Sequence, residues 1–140
     1  MLKSLRPFHL AFPVRNLEEA KAWYCETLGC KVGRESDDWI DFDFFGHQVV
    51  AHLSNTIIND NSNEVDRQNI PIRHFGVVLS QDTWSKLKDN LNNKGIRFIV
   101  GPYTRFENSI GEQNTLFIQD PSGNAIEFKA FKDDSMIFSK

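Results

Sequence analysis

One pattern occurs twice in this chain, and that repetition limits the fold more than any other feature. Phe8-His9-Leu10-Ala11-Phe12-Pro13-Val14 alternates with the period of a strand, and Arg73-His74-Phe75-Gly76-Val77-Val78-Leu79 repeats it with a histidine in the same place. A helical stripe follows each. After the first come Leu17, Ala20, Tyr24 and Leu28, with Asn16 and Glu19 forming a capping-box pattern. After the second come Trp84, Leu87 and Leu91, with Ser80 or Asp82 as the cap. Gly29 and Gly95 stand where each helix should stop.

Three further strands are predicted after each helix: Cys30 to Arg34, Trp39 to Phe45 and Gln48 to Leu53 in the first copy, then Ile96 to Val100, Thr115 to Gln119 and Ala125 to Phe131 in the second. The offsets agree. His9 and His74 are 65 residues apart, and Gly29 and Gly95 are 66 apart. Gly46 and Gly123 are 77 apart, because the second copy carries a longer loop around Pro102 to Glu112. Asp120-Pro121-Ser122-Gly123-Asn124 is a strong turn signal. The repeat is therefore βαβββ twice. The expected organisation is a single domain over 1–140, with module one at about 5–54, a polar linker at 55–71 and module two at about 72–132.

Composition narrows the function. The net charge is −3 with no basic run, which argues against nucleic acid as a partner. The 12 phenylalanines favour a β-rich core. No apolar stretch is long enough for a membrane span, and the first residues turn charged too early for a signal peptide. Cys25 and Cys30 lack CxxC spacing and read as reduced thiols of a cytoplasmic protein.

Strand parity then selects the residues that can carry chemistry. His9 lies opposite Phe8, Leu10 and Phe12; His74 shares a face with Gly76 and Val78; Glu127 shares one with Ala125 and Lys129, opposite Ile126 and Phe128. If two curved sheets surround a common cavity, His9, His74 and Glu127 can meet inside it. Two imidazoles and one carboxylate with open positions suit Fe(II), Mn(II) or Ni(II), and a tetrahedral variant suits Zn(II). The expected fold class is α+β, two βαβββ modules forming curved mixed sheets around a metal-binding cavity.

These features resemble the vicinal oxygen chelate superfamily, which includes glyoxalase I, extradiol dioxygenases and bleomycin or fosfomycin resistance proteins. The resemblance rests on the repeat, Trp23-Tyr24 with Leu28-Gly29, His74-Phe75-Gly76-Val77, and Phe117 to Phe128 with its Asp-Pro-Ser-Gly-Asn-x-x-Glu stretch. It covers about Leu5 to Phe131 and implies that His9, His74 and Glu127 are metal ligands. Glyoxalase I-like members take a fourth ligand, often Glu, from the last strand of module one. Aligning Gly46 with Gly123 puts Val50 opposite Glu127, and His52 two residues beyond on the same face.

The resemblance thus implies a three-ligand site, Fe(II) favoured, with His52 either a fourth ligand or an acid–base neighbour. Glu127 and Tyr103 are further catalytic candidates, and Arg105 and Glu112 flank the long loop. The implied activity is bidentate chelation of a small molecule with vicinal oxygens by a metal-dependent oxidoreductase or lyase, dioxygenase-like rather than glyoxalase-like. The alternative is a small-molecule binding or resistance protein without catalysis. A homodimer is expected, with the site either within one chain or shared across the dimer.

Overall fold

The computed structural model describes residues 4–55 and 61–140. The described chain divides into two compact units. The first holds the residues up to 55 together with Asp120–Ser122; the second holds 61–119 and Gly123–Lys140.

In the first unit, β1 (His9–Val14), α1 (Leu17–Leu28), β2 (Lys31–Glu35), β3 (Trp39–Phe44) and β4 (His47–Leu53) follow one another. The strands form a sheet in the order β1-β4-β3-β2, with β1 and β4 parallel and the other pairs antiparallel. A parallel β1–β4 pair needs a long crossover, and α1 with its following strands supplies it. Asn16 accepts the Glu19 amide at 2.9 Å and caps α1, while Gly29 ends it at φ 72°. The helix covers one face of the sheet. There Tyr24 is fully buried, stacked on Phe42 with ring centroids 5.1 Å apart and tilted against Phe12 at 5.5 Å. Its hydroxyl donates to Asp120 at 2.8 Å, and Arg15 donates from its amide to Ser122 at 3.0 Å. Burial first, and then the adjacent carboxylate, push the Tyr24 phenol well above its ordinary pKa.

The second unit repeats this order with β7 (His74–Val78), α2 (Gln81–Asn93), β8 (Val100–Arg105), β9 (Gln113–Gln119) and β10 (Ala125–Phe131). Its sheet runs β7-β10-β9-β8, again with the first pair parallel. Ser80 caps α2, and the Trp84 indole donates to the Phe128 carbonyl at 2.9 Å, tying helix to sheet. The two βαβββ modules and their curved mixed sheets are as expected from the repeat.

Two local expectations change, and one segment is added. The polar stretch read as linker contains a hairpin, β5 (Ser62–Val65) and β6 (Gln68–Pro71), within the second unit; residues 56–60 of that stretch lie outside the described residues. Its Val65 and Ile70 pack with Val100, Phe117 and Tyr103, which repays the ordering of an otherwise polar segment. The strand expected at Ile96 to Val100 instead begins at Val100 and runs through Gly101-Pro102 to Arg105. The tail after Lys132 carries a short 3-10 turn at Asp134–Met136. Among the described residues no helix is long and apolar enough to cross a membrane.

Candidate functional site

In the second unit, β7 and β10 run parallel with Ala125 opposite His74, Glu127 opposite Gly76 and Lys129 opposite Val78. The pleat turns Ile126 and Phe128 into the core and leaves His74, Gly76, Glu127 and Lys129 on the other face. Gly76 is required there. A Cβ at that position would lie 1.5 Å from the Glu127 carbonyl oxygen, so any side chain would drive the two strands apart.

The His74 and Glu127 side chains meet: Nε2 stands 3.2 Å from Oε1. The other ring nitrogen, Nδ1, is 2.7 Å from the Pro71 carbonyl, and Phe117 meets the ring edge-on at 4.9 Å. Glu127 is held in turn, its Oε2 accepting from the Thr115 hydroxyl at 2.5 Å and its Oε1 lying 3.6 Å from the Lys129 ammonium. An acceptor facing each nitrogen stabilises the doubly protonated ring relative to the neutral one. The hydrogen bond to Glu127 accordingly raises the His74 pKa, against the opposing pull of burial. Burial alone would raise the Glu127 pKa, but the bonds from His74 and Thr115 and the charge of Lys129 outweigh it and lower the value. His74, Glu127 and Lys129 line a pocket of about 240 Å³ with Gly76, Val77 and Val78. A larger cavity of about 900 Å³ in the same unit is lined by Gln81, Ile110, Phe131 and Met136 among others. Its ionisable residues include Glu112 and Lys132, which pair at 3.6 Å, so the chemistry points to the smaller pocket.

In the first unit, β1 and β4 reproduce the β7–β10 register. His9 pairs with Gln48 as His74 does with Ala125, and Ala11 pairs with Val50 as Gly76 does with Glu127. Val50 therefore occupies the position equivalent to Glu127, and His52 the position equivalent to Lys129. His9 is exposed on the sheet face opposite α1, and its Nδ1 lies 2.9 Å from Gln48 Oε1. The amide nitrogen of Gln48 donates to Asp41 at 3.4 Å. A carboxylate only accepts, so Asp41 fixes the Gln48 amide with its oxygen toward His9, and Nδ1 must carry the proton. In the neutral ring this geometry makes Nε2 the nitrogen without a proton. We expect the neutral His9 ring to show the Nδ1–H tautomer in long-range ¹H–¹⁵N spectra of the protein without added metal, and Gln48→Leu to shift it toward Nε2–H. An unchanged tautomer in that variant would refute the assignment.

The remaining candidates fall in different surroundings. His52 is exposed on β4 between its register partners Pro13 and Trp39. Tyr103 donates to Asp66 on the hairpin turn at 3.1 Å, and Arg105 pairs with the same carboxylate. Burial, then the bond to Asp66, raise the Tyr103 pKa, so the residue is a phenol at neutral pH. Among the described residues of either unit, no three His, Cys, Asp or Glu side chains gather around one point. Sequence reasoning brought out Glu127, His9 and Tyr103 but not their partners Thr115, Gln48 and Asp66. Parity along β9 was the available signal for Thr115, which is register partner of Lys129. For Gln48 and Asp66 the linking contacts span 39 and 37 residues, and nothing local announces them.

A family model described as the glyoxalase/bleomycin resistance protein/dioxygenase superfamily matches residues 6–128. Among solved structures, a glyoxalase/bleomycin resistance protein/dioxygenase from Alicyclobacillus acidocaldarius is 40% identical, with a TM-score of 0.81 over 94% of this chain and 96% of that one. A fosfomycin resistance protein from Listeria monocytogenes shares the fold at 12% identity, with a TM-score of 0.67 over 93% and 94% of the two chains. Lactoylglutathione lyase from Agrobacterium tumefaciens does so at 13% identity, with a TM-score of 0.61 over 92% and 94%. No curated protein sequence matches the chain. From the extent of the family match and the 40% identity, the chain belongs to the glyoxalase/bleomycin resistance protein/dioxygenase superfamily.

Proposed function

We propose that this protein is a metal-dependent enzyme acting on a small molecule with vicinal oxygens, and that His74 and Glu127, with His9, hold a divalent ion. The observation that carries this reading is the His74–Glu127 pair. Its imidazole is oriented through Nδ1 by the Pro71 carbonyl, its carboxylate is braced by Thr115, and His74 Nε2 meets Glu127 Oε1 at 3.2 Å. Outer oxygen acceptors that fix a histidine's tautomer and leave Nε2 for the ion are the usual support of metal-binding imidazoles. His9 has the same arrangement through Gln48. Imidazole nitrogen with carboxylate oxygen suits Fe(II), Mn(II), Ni(II) or Zn(II), so the residues present fit such an ion.

When bound, the ion supplies Lewis-acid stabilisation of an oxyanion on the substrate. The protein's own groups do the rest. Gly76 keeps β7 and β10 close enough for His74 and Glu127 to share one target. Tyr103, held as a phenol on Asp66, is a proton donor on the second unit's sheet, and His52 is an acid–base candidate on the first. Val50 in the place equivalent to Glu127 favours a three-ligand, dioxygenase-like site over a glyoxalase-like one with a second carboxylate.

The test is metal analysis of protein purified without chelator, followed by oxygen uptake with a catechol panel after anaerobic Fe(II) loading. Hemithioacetal turnover with Ni(II) or Zn(II) provides the contrast. We expect stoichiometric metal, its loss in His9→Ala and His74→Ala, and oxygen uptake with Fe(II). Unchanged metal content in both variants would refute the ligand assignment, and hemithioacetal turnover without oxygen uptake would refute the dioxygenase branch. If mixing the two variants restores metal uptake, His9 and the His74–Glu127 pair come from different copies in a homodimer.

A further inference from the structure

The cavity of about 900 Å³ in the second unit shares no lining residue with the His74–Glu127 pocket. Its walls are tied to one another. The Lys132 amide donates to the Glu112 carbonyl at 2.9 Å, and the Gly111 amide reaches the Met136 sulfur at 3.5 Å, so the loop before β9 closes on the tail after β10. The volume falls in the range of small-molecule sites, about 300–1,000 Å³. Ile110, Phe131 and Met136 make part of the wall apolar.

The polar part of the wall is one-sided. Asn108 apart, its side-chain donors are engaged: Gln81 Nε2 with the Ala130 carbonyl at 3.2 Å, the Ser80 hydroxyl with Thr83 at 2.9 Å, and the Ser109 hydroxyl with the Glu107 carbonyl at 3.4 Å. The single ammonium, Lys132, is paired with Glu112 at 3.6 Å. Acceptors are in excess. The wall holds three carboxylates, Glu112, Asp133 and Asp134, against that one ammonium, an excess of two negative charges. Asp133 takes the Ser135 amide at 2.9 Å, and neither it nor Asp134 has an ion-pair partner among the described residues. The amino end of α2 borders the cavity and would by itself attract an anion, but its Ser80 cap and Asp82 in the first turn already answer it.

Gln113 adds a buried acceptor. It is 6% exposed, and both the residue before it, Glu112, and its register partner across the sheet, Phe131, line the cavity. Its Nε2 donates to the Gly111 carbonyl at 3.2 Å, while its Oε1 is buried with no donor among the described residues. A buried acceptor of this kind calls for a partner. A guest that completes the cavity therefore brings N–H donors, positive charge and an apolar body. We propose that the cavity is a binding site for an organic ammonium ion, its hydrocarbon part against Ile110, Phe131 and Met136, its charge answered by Asp133 and Asp134, and an N–H directed to Gln113 Oε1.

The test compares phenethylammonium with phenethyl alcohol and hydrocinnamate, a cation, a neutral molecule and an anion of similar size, at equal ionic strength. The sequence holds two methionines, Met1 and Met136, so methyl-¹³C-methionine labelling gives a reporter in the wall. Phenethylammonium should shift the Met136 methyl resonance and bind about threefold to tenfold more tightly than the alcohol, with hydrocinnamate weakest. Asp133→Asn combined with Asp134→Asn should abolish that preference and leave alcohol binding unchanged; asparagine still accepts the Ser135 amide, so the tail keeps its turn. Gln113→Met should weaken the ammonium and the alcohol alike by several-fold, since both offer it a donor. Equal affinity for cation and alcohol, a preference that survives both asparagine substitutions, or an unmoved Met136 methyl would overturn the proposal. Unchanged affinities in Gln113→Met would overturn the part given to Gln113. None of these readouts depends on a metal ion, so the outcome is independent of the reading of the His74–Glu127 pair.

Discussion

Glu127→Gln should lower the His74 pKa toward its ordinary value and weaken divalent-metal binding by at least a hundredfold. The hydrogen bond that His74 donates to Glu127 is the largest cause of the raised His74 value, so an amide in place of the carboxylate removes most of the shift. The affinity loss should exceed the roughly 10- to 100-fold that follows from removing an outer partner of a ligand, because here a ligand itself goes. An NMR titration of the His74 ring and calorimetry with Mn²⁺ or Zn²⁺ measure the two effects. A wild-type affinity in the variant would remove Glu127 from the site.

The pH dependence has a definite sign. The raised His74 pKa contributes stability that is complete below its ordinary 6.5 and disappears as pH rises through the folded value. The lowered Glu127 pKa contributes stability present above its ordinary 4.5 and lost as pH falls through the folded value. The stability gap between wild type and Glu127→Gln should therefore be widest at about pH 4.5–6.5. It should be only a few tenths to about 1 kcal/mol, since the pair is partly exposed. Metal uptake has the opposite trend on the basic side. It requires loss of the Nε2 proton, and so strengthens as pH rises through the His74 pKa.

The second large effect is expected at Gly76. Gly76→Ala places a methyl group against the Glu127 backbone carbonyl, where neither strand has a flexible side chain to move aside. Overpacking of this kind costs about 1–3 kcal/mol, which corresponds to a fall in Tm of about 3–10 °C. The same displacement moves Glu127 relative to His74, so metal affinity should fall although neither ligand has been changed. Gly33→Ala is the control. Its Cβ meets the Asp41 Cβ at 3.3 Å, a mild squeeze on the first unit's sheet. Thermal unfolding and calorimetry on both variants separate a local effect at β7–β10 from a general intolerance of strand alanines.

Much of this architecture was legible because periodicity is a local property. Alternation identified β1, β7 and β10, the Asn16–Glu19 spacing marked the start of α1, and parity put His74 and Glu127 on one face. The misreadings have physical causes. Gly101-Pro102 looked like a strand end, yet β8 is an edge strand and its outer side needs no amide donor there. The β5–β6 hairpin turns on Asp66 and Arg67, both at positive φ, without the Asn-Gly or Asp-Gly pair that usually announces such a turn. Its apolar contribution is two residues, too few to stand out in a polar stretch. The hydrogen-bond partners of His74 and His9 were beyond sequence because Pro71, Gln48 and Asp41 act through geometry.

The placement of Asp120–Ser122 in the first unit bears on how this chain can be dissected. A gene fragment ending in the 55–71 stretch would contain every strand and helix of the first repeat. It would lack the acceptor for the Tyr24 hydroxyl and the partner of the Arg15 amide. A buried hydroxyl left unpaired costs about 1–3 kcal/mol, a large share of what holds so small a sheet together. The sequence repeat and the compact unit thus have different boundaries. Recombining this module with others would require carrying the closing turn along, or replacing Tyr24 with phenylalanine.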